Sequence, residues 1–310
     1  MRMVLVRFLL SVFGMKRQIA QVLLVSFAWS AFAGSPIYGR KLVWSDEFNG
    51  TNLDLSKWRF RQTMGSKSDE YVNDERTVRL EDGMLHLQVI RDTSQIRDVR
   101  LPQGLATHET MGFRYGYLEM RAKVPFRHGA WPSFWMQTTP RLKKSRWMSE
   151  VDIFEIFGST NMVVCNLHKW GGRDPKSKKW RHVMLPGGEG SVNRAYSMNA
   201  RTVNEEFHVY GFEWTPETMS FFVDGERYAT FPIDEDHEFS SHELTGMECF
   251  HDFHSVILNN EIFRENNGWC PNGYALKPDA SLPIDYFVDW IRLYQKRGEE
   301  IKLLNVVGQK

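Results

Sequence analysis

Three carboxylates fall within six residues of a 310-residue chain, in the segment Glu150-Val151-Asp152-Ile153-Phe154-Glu155. Apolar residues fill the gaps and Ile156 follows, so the segment reads as a strand and not as a solvated acidic loop. Two carboxyl groups held about 5–5.5 Å apart suit the double displacement of a retaining glycosidase. One attacks the anomeric carbon; the other protonates the leaving oxygen and then activates water. A third carboxylate between them can hydrogen-bond the nucleophile and shape both titrations, because like charges this close resist joint ionisation. The same spacing also fits an exposed acidic strand face or a calcium site, and on these residues alone both remain open.

The spacing poses a geometric problem. On a regular strand Glu150 and Asp152 share a face, while Glu155, five positions from Glu150, points the other way. One extra residue near Ile153-Phe154, a β-bulge, returns Glu155 to the shared face. Bulges are over-represented beside active sites. The chemistry therefore predicts a bulged strand.

The elements that must position such a strand are also strands. Met84–Ile90 follows an Asp82-Gly83 turn, Tyr115–Val124 alternates over ten residues, and Met162–His168 and Phe207–Trp214 do the same. Met219–Val223 runs into Asp224-Gly225, a hairpin signal. Phe287–Tyr294 closes the set. With no long amphipathic helix, repeat or low-complexity linker between Leu42 and Gln295, the pattern predicts an all-β fold, a β-sandwich or jelly roll. The tail from Arg297 to Lys310 is expected to be loosely attached.

Composition narrows the partners. With 39 basic and 38 acidic residues the formal charge is +1, which gives no reason to expect nucleic acid or an anionic membrane as partner. Aromatic content is 14% with 11 Trp, which suits a filled β core and also a sugar cleft, where pyranose C–H faces stack on rings. The three cysteines, Cys165, Cys249 and Cys270, leave at least one thiol unpaired, and a Cys249–Cys270 bridge is possible. Residues 1–33 have the layout of a secretory signal peptide: Lys16 and Arg17, an apolar run from Val22, then Ala31-Phe32-Ala33. Met15 is a candidate true start. The expected organisation is thus a leader (1–33), a catalytic domain (34–296) and a short tail (297–310). The mature product is expected to be secreted or periplasmic, monomeric and free of the membrane. An uncleaved anchor is the alternative.

Longer segments carry a resemblance. Gly112–Pro125, Gly129–Met136 and the acidic hexapeptide, with Trp44–Gly50, Tyr210–Trp214, Phe222–Gly225 and Val288–Tyr294, resemble glycoside hydrolase family 16, in that family's order and over nearly all of residues 42–295. The resemblance implies a jelly-roll β-sandwich of two curved antiparallel sheets, with a concave substrate cleft. It implies Glu150 as nucleophile, Asp152 as its helper and Glu155 as acid/base, in the bulged subtype. It places Trp131, Trp135, Trp147, His168 and Trp170 among cleft residues, with a core role for Trp131 and Trp147, and a plain polar role for His168, the alternatives. It implies no cofactor for catalysis. A structural calcium at Glu47, the Gly83 carbonyl and Asp289 remains possible. Lys143, Lys144 and Arg146 before the acidic strand, and Lys169, Arg173, Lys176, Lys178 and Lys179 after His168, are candidates to meet sulfate esters. The implied substrate is a β-linked polysaccharide, leaning to a red-algal galactan, with a β-1,3-glucan as alternative. A non-catalytic sugar-binding jelly roll is the competing class, but it has no need of all three acids.

Overall fold

The computed structural model describes residues 36–61, 71–93, 99–158, 160–185, 195–199, 203–234, 246–263 and 275–304. The expected leader and Cys270 lie outside the described residues. The chain divides into residues 1–40 and 41–310. Of the first unit only a turn is described, closed by the Arg40 amide on the Ile37 carbonyl at 3.0 Å.

The second unit is a sandwich of two sheets. Its turns follow from local sequence. Asp82 and Gly83 both take positive φ (53° and 72°), as do Asp224 and Gly225 (49° and 82°). These are the left-handed pairs that a tight hairpin needs, and Asp-Gly adopts them readily. The first joins Val78–Glu81 to Met84–Arg91; the second joins Thr218–Val223 to Glu226–Pro232. The outer sheet runs Glu226–Pro232, Thr218–Val223, His208–Trp214, Gly116–Lys123, Ile284–Gln295, Met84–Arg91, Val99–Pro102 and Tyr71–Val72. The inner sheet runs Trp180–Leu185, Met162–Arg173, Met148–Glu155, Ala130–Thr138, His254–Ile262, Gly104–Ala106 and Arg59–Arg61. Pairing is antiparallel except where Tyr71–Val72 meets Val99–Pro102 in parallel.

The expectation of a loose tail is corrected at Glu300–Leu303, while residues 305–310 lie outside the described residues. Glu300–Leu303 forms a strand beside Met111–Arg114, with Ile301 opposite Phe113 and Arg114 ion-paired to Glu300. Ile301 packs on the core, which ties down a segment whose charges suggested solvent.

Between the sheets lies one main hydrophobic cluster. Phe154 stands at its centre, fully buried, 4.5 Å from the ring of Tyr210 and 6.2 Å from that of Tyr286, both on the outer sheet. Phe134 of the neighbouring inner strand lies 6.0 Å away on the other side. The acidic strand is thus pinned to the opposite sheet by the residue just before Glu155. Truncation there leaves a void that close-packed rings refill poorly. Phe154→Ala is expected to cost about 3–5 kcal/mol in denaturant unfolding; a loss under about 1 kcal/mol, the size of an ordinary surface change, would remove Phe154 as the anchor.

Candidate active site

The acidic strand, Met148–Glu155, is bulged as the carboxylate spacing requires. Toward Met162–Arg173, Glu150 lies opposite His168, Asp152 opposite Asn166 and Glu155 opposite Val164. Three steps on one strand therefore match two on the other. Toward Ala130–Thr138, Phe154 lies opposite Phe134 and Asp152 opposite Trp135, which isolates Ile153 as the extra residue. Directly opposed residues project from the same face of a sheet. Glu150, Asp152 and Glu155 therefore share the face opposite the core, with Trp135, Asn166 and His168.

Each carboxyl has its own donor. Trp170 gives its indole N–H to Glu150 at 3.2 Å. His168 Nε2 lies 2.9 Å from Asp152 Oδ2. Glu155 receives the Trp131 indole N–H at one oxygen and the Asn166 amide at the other, both at 3.0 Å. Polar atoms of Glu150, Asp152 and His168 all lie within 4.8 Å of one another. Burial pushes Glu150, Asp152 and Glu155 each up to about 8, and the Asp152 charge adds to the rise in both glutamates. Desolvation disfavours the ionised form and neighbouring anions reinforce it. Such a group can hold a proton at neutral pH while a partner gives its own up.

Four of the five aromatic and histidine positions expected in the cleft are brought together. Trp131, His168 and Trp170 contact the acids directly. Trp135 donates to Asn259 at 2.9 Å beside them. Trp147 is the exception. Its ring is 8% exposed and belongs to the core cluster, with the guanidiniums of Arg146 and Arg181 at 4.4 and 4.8 Å. It takes the core role, because at the foot of the strand it sits on the face opposite Glu150.

The basic residues expected to meet substrate are mostly elsewhere. Lys169 is fully buried and its ammonium reaches the Gly246 carbonyl, since its neighbour His168 occupies the cleft face and strand alternation sends Lys169 inward. Arg173 turns back onto the Lys178 carbonyl, and Lys143 onto those of Ser145 and Arg146. A cation that does reach the cleft is Arg61, which was not among the sequence candidates. Its guanidinium lies 4.6 Å over the Trp135 ring, and the charges of Glu150 and Glu261 offset its burial. His182, Asn166 and Asn259 were missed too. His182 stacks on Trp170 at 3.9 Å and bonds His168 at 2.8 Å. Their only sequence signal was register with an acid or a Trp, which needs the strand pairing to be known.

The calcium set does not fit. Both oxygens of Glu47 are taken by Arg292, at 3.0 and 2.7 Å, and Asp289 pairs with Arg121. Arg292 also holds the Glu47 carboxyl below the usual range. Oxygen donors spent on guanidiniums do not make a cage for a hard cation.

Two buried carboxyls that face one space, with a third between them, are what glycosidic cleavage with retention demands, and a jelly roll supplies the rigid floor. By fold and site the molecule is a glycoside hydrolase. Residues 41–296 match the family model described as Beta-porphyranase A-D, GH16 domain. The chain belongs to glycoside hydrolase family 16. It is 27% identical over 267 residues to a beta-glucanase of Rhodothermus marinus, covering 82% of this chain and 85% of that protein. It is 24% identical over 283 residues to glucan endo-1,3-beta-glucosidase A1 of Niallia circulans, covering 84% of this chain but only 39% of that protein's length. Against a keratan-sulfate endo-1,4-beta-galactosidase of Sphingobacterium multivorum the identity is 23% over 261 residues, covering 82% of this chain and 55% of that one. The crystal structure of a non-specific endo-beta-1,3(4)-glucanase of family GH16 superposes with a TM-score of 0.60 at 25% identity, covering 84% of this chain and 92% of that one.

The raised carboxyl groups make stability depend on pH. A group lifted from 4.5 to about 8 adds stability below its unfolded value, and that stability is lost as pH rises through 8. Removing the charge removes the loss. Glu155→Gln is therefore expected to melt near the wild-type temperature at pH 4 and several degrees above it at pH 9, read by calorimetry. Equal melting curves at pH 9 would show that Glu155 does not carry the burial penalty.

Proposed function

We propose that the chain is an exported, monomeric, retaining endo-hydrolase of a sulfate-bearing galactan of porphyran type. Glu150 attacks the anomeric carbon and forms a glycosyl-enzyme. Glu155 protonates the departing oxygen, then deprotonates the incoming water. Asp152 lies between them in sequence, bonded to His168, and whenever it is ionised its charge raises the proton affinity of Glu155. The bulge at Ile153 carries the mechanistic reading, because it alone gives the three carboxyls one face. Arg61 carries the substrate reading. A guanidinium set over a cleft indole can pair with an ester sulfate while the ring takes the sugar's apolar face. It borders a depression of about 410 Å³, lined also by His108 and by Gln137, the register partner of Glu150. The match to the porphyranase-type domain supports the same reading.

A β-1,3-glucanase is the second reading, favoured by the names of the two glucan-acting relatives. An ester sulfate gains more from Arg61 than a neutral hydroxyl does, which separates the two. On agarose, porphyran, κ-carrageenan, furcellaran, laminarin and lichenan, reducing ends are expected to appear fastest from porphyran. Arg61→Met should lower kcat/KM on the sulfated galactan by about tenfold to a hundredfold, the size of a lost charge-assisted contact, and lower any laminarin activity by a much smaller factor, through the loss of its charge beside Glu150. Laminarin as the sole substrate would overturn the galactan reading. Glu150→Ala should abolish turnover, and Glu155→Ala should regain activity with azide on an activated-leaving-group substrate. A folded Glu155→Ala protein that azide does not rescue would remove Glu155 as the acid/base.

A further inference from the structure

We propose that His182 is a positioning residue of this site: it donates its Nε2–H to His168 and so fixes the tautomer that His168 presents to Asp152. Three observations converge on it. His182 Nε2 lies 2.8 Å from His168 Nδ1, and His168 Nε2 lies 2.9 Å from Asp152 Oδ2. The imidazole of His182 lies flat on Trp170, with centroids 3.9 Å apart and planes 19° apart, and Trp170 itself donates to Glu150. Cross-strand register sets the stack, since Trp170 and His182 are direct partners.

A neutral imidazole has one N–H, so the two contacts of His168 are linked. If its proton is on Nε2, it donates to an ionised Asp152, and Nδ1 then needs a donor. If its proton is on Nδ1, it donates to His182, and the contact of Nε2 with Asp152 is then a hydrogen bond only when Asp152 is protonated. The donor role of His182 thus selects the state in which Asp152 carries its charge. That charge raises the proton affinity of both Glu150 and Glu155. Among the described residues, Asp152 bonds His168, Glu150 and Glu155 interact electrostatically with it, Trp170 stacks on His182, and Arg61 acts on Glu150. Burial and the proximity of His168 pull His182 down to about 4, so it stays neutral over the working range.

The inference rests on the roles given above to the three carboxylates. Its first test needs no substrate. In 15N-histidine NMR of the intact protein at pH 7, His168 is expected to be protonated on Nε2, with Nδ1 accepting a hydrogen bond. Its second test is the pH profile of kcat/KM on whichever panel polysaccharide is cleaved. His182→Phe keeps a ring on Trp170 but has no donor. Asp152 then protonates more readily, Glu155 loses the charge that lifts it, and the alkaline limb should move down by about half to one pH unit, the scale of one lost hydrogen bond. KM should stay within about twofold, a change of roughly 0.4 kcal/mol. His182→Gln, whose amide N–H can take the place of Nε2–H, should restore the limb. His168 protonated on Nδ1, a His182→Phe limb that superposes on wild type, or a His182→Gln limb displaced as far as that of His182→Phe would each overturn the proposal. Because the tautomer is read without sugar, its failure is separate from failure on porphyran.

Discussion

The site depends on one surplus residue. Ile153 has no partner on the strand beside it, and through that slip Glu155 and Phe154 exchange faces. Phe154 enters the core among Phe134, Tyr210 and Tyr286; Glu155 enters the cleft beside Asp152. The two consequences cannot be separated, since side chains alternate along a strand and one slip moves everything after it. Three carboxyls crowded on one face repel each other and lose solvation. The aromatic packing behind them is the restoring force that keeps the strand from straightening. A crowded polar face is backed by a close-packed apolar one.

The donors chosen for the acids fit that arrangement. Glu150, Asp152 and Glu155 are met by indole, imidazole and amide groups, while the guanidinium in the cleft lies over a ring. Neutral donors orient a carboxyl without cancelling its neighbours' charge. The same molecule shows the contrast. Glu47, gripped at both oxygens by Arg292, is held below the ordinary carboxylate range, whereas the cleft acids are pushed up to about 8. A proton donor built like Glu47 would have no proton to give at neutral pH.

What was legible in the sequence is what local rules govern. The Asp-Gly hairpins and the alternating strands follow from dihedral preference and period, and the bulge from asking three carboxylates at that spacing to share one face. What was misread depended on face and distance. Lys169 looked like part of a basic patch because counting charges ignores alternation; His168 on the cleft face already required its neighbour to point inward. The tail strand was missed because Glu300–Leu303 pairs with residues far back in the chain. Arg61 lies 89 positions before Glu150, on a three-residue strand with no pattern of its own, and only the sheet order brings it to the cleft.

The cleft rings also limit how a sugar chain can lie. An indole offers two faces, and each of the three cleft indoles already has one in use. Trp131 stacks on Phe263 with centroids 5.1 Å apart, Trp170 on His182, and Trp135 carries Arg61. Trp131 and Trp170 are further held at their edges, because their N–H groups are bonded to Glu155 and Glu150. Turning either ring to suit a sugar would break a bond to a carboxyl. The rings therefore behave as fixed walls, and a pyranose must approach the face that each leaves open. At Trp135 the covering group is a cation and not another ring, so a sugar stacked beside it meets a positive charge. A neutral hydroxyl gains little there, whereas an ester sulfate gains a charge-assisted hydrogen bond. The proposed preference for a sulfated sugar thus rests on which face of which indole is already covered.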